Sequence, residues 1–389
     1  MRKKRHRVAV AAVLAVAGAF ALAAPTAQAG PGSSTTAIVS LGDSFISGEA
    51  GRWNGNSLNP FGTRFGTDRA ARCTWYGSCS YDPHRVYGSS YDNGCHRSDV
   101  APIRSVAISV DERINLACSG ARTQHIWRGS QGGQVFKGEA PQGDQLATVA
   151  RNKNVKLVVL TITANDLGFS DHVIDCTVAW ATSSSDNPDY CWPEEQVEMQ
   201  AAMPAARAGF SKATDEIRAV MSGAGYASSQ YRLLAMGYAS PVPRGPDNRY
   251  PESGWSRLTE GGCPFWNADS NWAVDWATPF IVDNMKQIAA QKGVQFLDVQ
   301  RALDGRQVCH RSSSQVGSSG PSDTRSEWVR WLNSGCCQGN AQESLHPNAY
   351  GQRAIGRCIA LTYAQASGNW LCRNTAGQGV GAMYLSSIP

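Results

Sequence analysis

Apart from its first 29 residues, this chain carries no net charge. Its 389 residues hold 36 Lys and Arg against 31 Asp and Glu, a formal +5. Arg2, Lys3, Lys4, Arg5 and Arg7 account for all of that excess, and the first 29 residues contain no acid. A neutral remainder offers no electrostatic footprint for nucleic acid or an anionic membrane as a partner. Beyond residues 8–24 there is no long apolar run, so no stable membrane insertion is expected. The chain has no pair of CxxC knuckles for structural zinc, no G-x-x-x-x-G-K-[ST] phosphate loop and no H-E-x-x-H. The glycines at Gly223 and Gly225 lack a dinucleotide fingerprint. A G-x-S-x-G elbow is also missing, which sets aside the ordinary α/β-hydrolases. There is no internal repeat and no long low-complexity linker. Neither a cofactor nor a metal is expected.

What is there begins with a basic start, an apolar middle and the small-residue stretch Ala27-Gln28-Ala29. Residues 1–29 therefore read as a secretory signal peptide, and residues 30–389 as a single extracellular domain, expected to be a monomer. Twelve cysteines in an exported chain read as disulfides. Short spacings suggest Cys73–Cys79, Cys176–Cys191 and Cys358–Cys372. Cys263–Cys309 is a looser pairing, and the adjacent Cys336 and Cys337 fit no simple scheme.

Residues 37–41 read as a buried strand that ends in a Gly42-Asp43 turn. Residues 158–165, 231–238 and 294–299 read as further strands. Met199, Met203, Ala206, Phe210, Ala213, Ile217 and Val220 recur at helical spacing, with Pro204 marking a kink or a first turn. Helices are also expected over 272–292 and 349–363, and a surface loop over 312–322. Strands alternating with helices imply an α/β fold with a parallel sheet covered on both faces. Residues 51–99 form a long loop directly after Ser44, rich in aromatics that include Trp53, Trp75, Tyr76, Tyr81, Tyr87 and Tyr91. Such a loop is either a platform for a sugar or acyl chain, or aromatic cover for a disulfide-pinned segment.

Ser44 follows a strand, where open α/β sheets place ligands. A serine hydroxyl needs a neighbouring base to become a nucleophile, although Asp43-Ser44 would also suit a helix cap. Among seven histidines, only His346 has a carboxylate three residues earlier, Glu343, and a Pro-Asn-x-x-Gly run after it. His84, His96, His125, His172 and His310 read as loop or surface residues. Asn165 ends a strand and Gly120 sits in a tight loop. The four blocks Leu41-Gly42-Asp43-Ser44-Phe45, Cys118-Ser119-Gly120-Ala121, Thr163-Ala164-Asn165-Asp166 and Glu343-Ser344-Leu345-His346-Pro347 occur in order. Together they resemble the GDSL or SGNH hydrolase superfamily, and within it the secreted actinomycete esterases and lipases.

That resemblance implies a flavodoxin-like three-layer α/β/α sandwich and cleavage of a carboxylic ester, in a lipid or an acetylated glycan, through an acyl-enzyme on Ser44. It implies His346 as base and an oxyanion hole made by the backbone N–H of Ser44, the backbone N–H of Gly120 and the side-chain amide of Asn165. It also suggests a Cys95–Cys118 bridge. Glu343 stands where the family usually has aspartate, as the triad acid, and some related esterases use a main-chain carbonyl instead. Thr163 replaces the family's usual glycine, and Asp166 reads as a structural partner. Two other readings remain: a non-catalytic glycan- or surface-binding protein, and a glycosidase pairing two of Asp43, Glu49 and Glu343.

Overall fold

The computed structural model describes residues 33–333 and 338–388. The expected leader, Cys336 and Cys337 lie outside them. Nine strands occur among the described residues: β1 Thr36–Gly42, β2 Ala71–Cys73, β3 Cys79–Tyr81, β4 Glu112–Asn115, β5 Asn154–Thr161, β6 Arg232–Met236, β7 Gln295–Asp298, β8 Trp370–Arg373 and β9 Tyr384–Ser387. Seven of them form one sheet in the order β4-β1-β5-β6-β7-β8-β9, while β2 and β3 make a separate hairpin. All neighbours in the large sheet run parallel except β8 and β9. In chain order this is the flavodoxin-like arrangement, whose direction of strand addition reverses beside β1.

The central strands are buried on both faces, as their continuous apolar runs require. From Ala37 to Gly42 every residue of β1 is buried, and β5 is buried from Leu157 onward. Helices Gln142–Asn152, Trp192–Gly223 and Thr278–Gln291 pack together in one layer. Helix Ala349–Tyr363 packs on β7, β9 and the segment around Pro102 and Ser105 in the opposite layer.

Helix Trp192–Gly223 runs through Pro204, which lies in its interior rather than its first turn. The expected helix over 272–292 starts earlier, at Asn267, and contains a π turn at Ala273–Ala277. A π turn of this kind often sits at a functional site. β4, β8 and β9 were not anticipated; each is short, and their sequences mix polar and apolar residues without a strand period. Among the described residues five cysteine pairs stand bonded: Cys73–Cys79, Cys95–Cys118, Cys176–Cys191, Cys263–Cys309 and Cys358–Cys372. Among the described residues no helix is long and apolar enough to cross a membrane.

Candidate active site

The C-terminal end of β1 lies against β5 so closely that a Cβ on Gly42 would stand 1.9 Å from the Thr161 carbonyl oxygen. Gly42 also has φ +145°, a backbone region that favours glycine. The Gln142 side chain clamps this turn from both sides: its amide donates to the Gly42 carbonyl at 2.8 Å and its oxygen accepts the Gly42 N–H at 2.7 Å. Asp43, not Ser44, caps the short helix Ser44–Ser47, accepting the Phe45 N–H at 3.1 Å. Ser44 is thereby placed at the first helical position. The other Asp43 oxygen accepts the Tyr238 hydroxyl at 2.5 Å, and that hydroxyl accepts the Ala164 N–H at 3.2 Å. Burial pushes the Asp43 carboxyl up to about 7, with the Tyr238 bond pulling the other way. The end of β1 is thus tied through Tyr238 to the loop that follows β5.

Ser44 and His346 meet although 302 residues separate them: Ser44 Oγ lies 2.7 Å from His346 Nε2. The other ring nitrogen, Nδ1, lies 2.8 Å from the backbone carbonyl oxygen of Ser344. A carbonyl only accepts, so Nδ1 carries the proton and Nε2 turns its lone pair to the serine hydroxyl. That is the tautomer a general base needs. Burial holds the imidazole pKa below its ordinary value, opposed by the Glu49 charge and the Ser344 carbonyl. The His346 backbone is fixed by the extended segment 328–330: Arg330 N–H donates to the His346 carbonyl, and Leu345 N–H donates to the Arg330 carbonyl, both at 2.9 Å. Asn348 then caps helix Ala349–Tyr363, which accounts for the Pro-Asn that follows the histidine.

Glu343 does not orient the imidazole, which corrects the expectation of a triad acid. Its carboxylate accepts the Trp53 indole N–H at 2.9 Å, the Tyr87 hydroxyl at 2.5 Å and the Asn340 N–H at 3.0 Å. Asn340 and Glu343 form a capping box, and a glutamate in that role reaches back toward the start of its own turn. His346 lies in the opposite chain direction. Burial, followed by the like charge of Glu49, raises the Glu343 pKa.

On the other side of Ser44, the Gly120 loop and the Asn165 turn come together. Cys118 N–H donates to the Gly42 carbonyl at 3.1 Å, and the Asn165 amide donates to the Ala121 carbonyl at 2.9 Å. Asp166 accepts from the N–H and hydroxyl of Thr123, locking the two loops together. Among the described residues no protein acceptor takes the N–H of Ser44 or of Gly120. Thr163 has φ +147°, a backbone region that favours glycine.

A cleft enclosing ≈ 1110 Å³, its solvent-open mouth included, opens beside Ser44 and His346. Its wall is overwhelmingly apolar, and runs from Phe45, Leu167 and Phe169 past Met199 to Ile281 and the π turn. None of the aromatics in 51–99 lines it. Trp53 and Tyr87 are buried beneath the site against Glu343, with the Arg330 guanidinium 3.7 Å over the Trp53 ring. Trp75 and Tyr76 stand fully exposed at the tip of the β2–β3 hairpin. The loop therefore offers no aromatic platform at this cleft, and only Trp53 and Tyr87 of the six act as buried cover. Nor do Asp43, Glu49 and Glu343 form a glycosidase pair: all three are buried, hydrogen-bonded elsewhere and absent from the cleft wall. Of the histidines expected in loops or at the surface, three are buried, and one of these, His172, stands in a helix. His96 pairs with Glu49, His172 lies between Glu195 and the Leu167 carbonyl, and His125 stacks on Phe136. Gln142 and Tyr238 were missed, because a lone Gln or Tyr at an element end carries no pattern.

No family model matches the chain, and no curated protein does. Among solved structures, it is similar to an extracellular lipase from Streptomyces rimosus, with 21% identity and a TM-score of 0.44 over 85% of this chain and 100% of that chain. A phospholipase A1 from Streptomyces albidoflavus NA297 gives 20% identity and a TM-score of 0.45 over 87% of this chain and 100% of that one. A carbohydrate acetylesterase from Sinorhizobium meliloti gives 12% identity and a TM-score of 0.34 over 85% and 99%. What the site can do follows from its own geometry.

Proposed function

We propose that this chain is an exported carboxylic ester hydrolase of the SGNH type that works through a serine–histidine dyad and accepts an extended apolar acyl chain. One arrangement carries the reading: the Ser44 hydroxyl on His346 Nε2, with Nδ1 held by the Ser344 carbonyl, at the mouth of an apolar cleft.

Ser44 Oγ attacks the ester carbonyl carbon while His346 Nε2 takes its proton. The negative charge that forms on the carbonyl oxygen is met by the N–H groups of Ser44 and Gly120 and the Asn165 amide. Losing one such donor raises the barrier by about 2.7–4 kcal/mol. The intermediate collapses as the imidazolium gives its proton to the departing alkoxide, leaving the acyl group on Ser44. Water, deprotonated by His346, then releases the acid and restores the hydroxyl. The Ser344 carbonyl holds the ring throughout and accepts a stronger hydrogen bond from the imidazolium than from the neutral ring.

The cleft favours a long acyl group over acetyl, because burying each additional CH₂ contributes roughly 0.8 kcal/mol. Export rests on the basic and apolar leader together with the five disulfides. The test is a chain-length series of p-nitrophenyl esters, run beside a fluorophosphonate probe read by intact mass. The expected result is kcat/KM rising from acetyl to longer chains and a single adduct that disappears in Ser44→Ala. A folded protein that forms no adduct, or that cleaves acetyl esters alone, overturns the reading.

A further inference from the structure

The peptide that carries the Gly120 N–H is gripped from behind by a cation. Residues 118–121 form a β-turn closed by the Ala121 N–H on the Cys118 carbonyl at 3.0 Å. Gly120 has φ +85°, the positive value that marks a type II turn. Types I and II differ by a flip of the central peptide, which here joins Ser119 to Gly120. In a trans peptide the C=O and N–H point opposite ways. The flip would therefore turn the Gly120 N–H away and put the Ser119 oxygen in its place. The Lys137 ammonium donates to that Ser119 oxygen at 2.8 Å and to the Gly94 carbonyl at 2.6 Å. A charge-assisted bond on one end of the peptide fixes the direction of the other.

Lys137 stands where the backbone does not favour a lysine. Phe136 and Glu139 exchange backbone hydrogen bonds at 3.0 and 2.9 Å, closing a two-residue hairpin turn over Lys137 and Gly138. Their φ angles are +50° and +77°. A turn with two left-handed residues favours Asn-Gly, and an outlier kept against that preference points to its side chain. The hairpin is pinned over the Gly120 loop. Glu139 pairs with Arg97, whose guanidinium donates to the Ala117 carbonyl at 2.7 Å, and the Phe136 ring stands 3.4 Å from where a Cβ on Gly120 would lie. Gly94 adjoins Cys95, which is bonded to Cys118. The ammonium thus bridges the two chain segments that this disulfide joins.

We propose that Lys137 is a positioning residue for the oxyanion hole: by holding the Ser119 carbonyl it keeps the Gly120 N–H turned to the charge that develops beside Ser44. This rests on the reading of Ser44, Gly120 and Asn165 as a hydrolase site. A donor already fixed needs no reorganisation as the charge forms. An ammonium on the carbonyl oxygen also polarises the peptide and strengthens the hydrogen bond that its N–H donates. Lys137 acts through that peptide and not on the ester itself.

The experiment measures kcat and KM of the full chain on a medium-chain p-nitrophenyl ester. The rate of Ser44 phosphonylation by a fluorophosphonate and denaturant unfolding are read on the same preparations. Lys137→Met keeps the side-chain stem and removes the cation. Lys137→Asn removes the cation and gives the turn the residue it favours, and Lys137→Arg keeps the charge. In both neutral variants kcat should fall about 10–100-fold, short of the roughly 10²–10³ lost with an oxyanion donor itself. KM should stay within about twofold, since the interaction is made only in the transition state. Phosphonylation should slow in parallel, and Lys137→Arg should recover most of the rate. A merely structural lysine would lower the unfolding midpoint without this kcat loss, and least in Lys137→Asn. Folded Lys137→Met or Lys137→Asn protein with kcat within about twofold of the unaltered chain overturns the proposal, as does a loss seen in KM alone or one that Lys137→Arg shares in full. Absence of both ester turnover and adduct in the unaltered protein would instead sink the hydrolase reading, and this inference with it.

Discussion

Glu343→Gln separates two accounts of how His346 is held. If Glu343 were the acid of a triad, the amide would favour the wrong imidazole tautomer and lower kcat by about 10⁴. That corresponds to about 5.4 kcal/mol of barrier. The structure predicts a much smaller effect. The Gln oxygen can take over the two N–H donors, Trp53 Nε1 and Asn340 N, which both reach Oε2. Its NH₂ then faces the Tyr87 hydroxyl, which can rotate to accept. Burial raises the Glu343 pKa, so a neutral amide removes a charge that burial already disfavours. The nearby guanidinium of Arg330 loses some compensating charge, and the stability loss should be about 1–3 kcal/mol, the scale of one perturbed buried polar contact. The assay is kcat and KM on a medium-chain p-nitrophenyl ester, with denaturant unfolding of the same preparation. We expect kcat within tenfold of the unaltered protein and a lowered unfolding midpoint. A thousandfold loss of kcat in a folded Glu343→Gln protein would refute the dyad and restore the glutamate as the orienting acid.

Because burial lowers the His346 pKa and the neutral ring is the active form, kcat/KM should fall as pH drops through that pKa. The midpoint of the acid limb should lie below the ordinary imidazole value of about 6.5; a pH–rate profile with a midpoint above about 7 would contradict this. The Cys95–Cys118 bridge spans 23 residues and ties residues just before Gly120 to the 51–99 loop. Replacing both cysteines by serine should remove about 3 kcal/mol of stability and lower kcat as the Gly120 donor loses its position. Denaturant unfolding and steady-state kinetics would show it, and an unchanged midpoint would count against it. Thr163→Gly should relieve about 1–3 kcal/mol of backbone strain against about 0.5–1 kcal/mol of added chain freedom. The expected net gain raises the thermal midpoint with activity retained; a lowered midpoint would show that Thr163 is not strained.

The sheet centre was legible in the sequence because strands buried on both faces read as unbroken apolar runs, as at Ile38-Val39 and Val158-Val159-Leu160. The edge strands β4 and β9, and β8 beside β9, were not, since half-exposed or short strands need no such run. Ser44, Gly120, Asn165 and His346 were legible as motif letters, and the structure brings Ser44 to His346 and the Gly120 loop to the Asn165 turn. What holds the histidine was not legible in the same way. Its partner is a main-chain carbonyl, which every residue possesses and no letter marks. The carboxylate three residues earlier pointed to a triad, but the same stretch also contained a competing signal. Asn340-x-x-Glu343 is a capping-box pattern, and a glutamate in its third helical position turns back toward the cap's N–H. Here both oxygens of that side chain are taken, by Asn340, Trp53 and Tyr87. Read for local hydrogen bonding rather than for catalytic spacing, the segment offers Glu343 a partner other than the histidine, and the structure shows that partner taken and the imidazole held by the backbone.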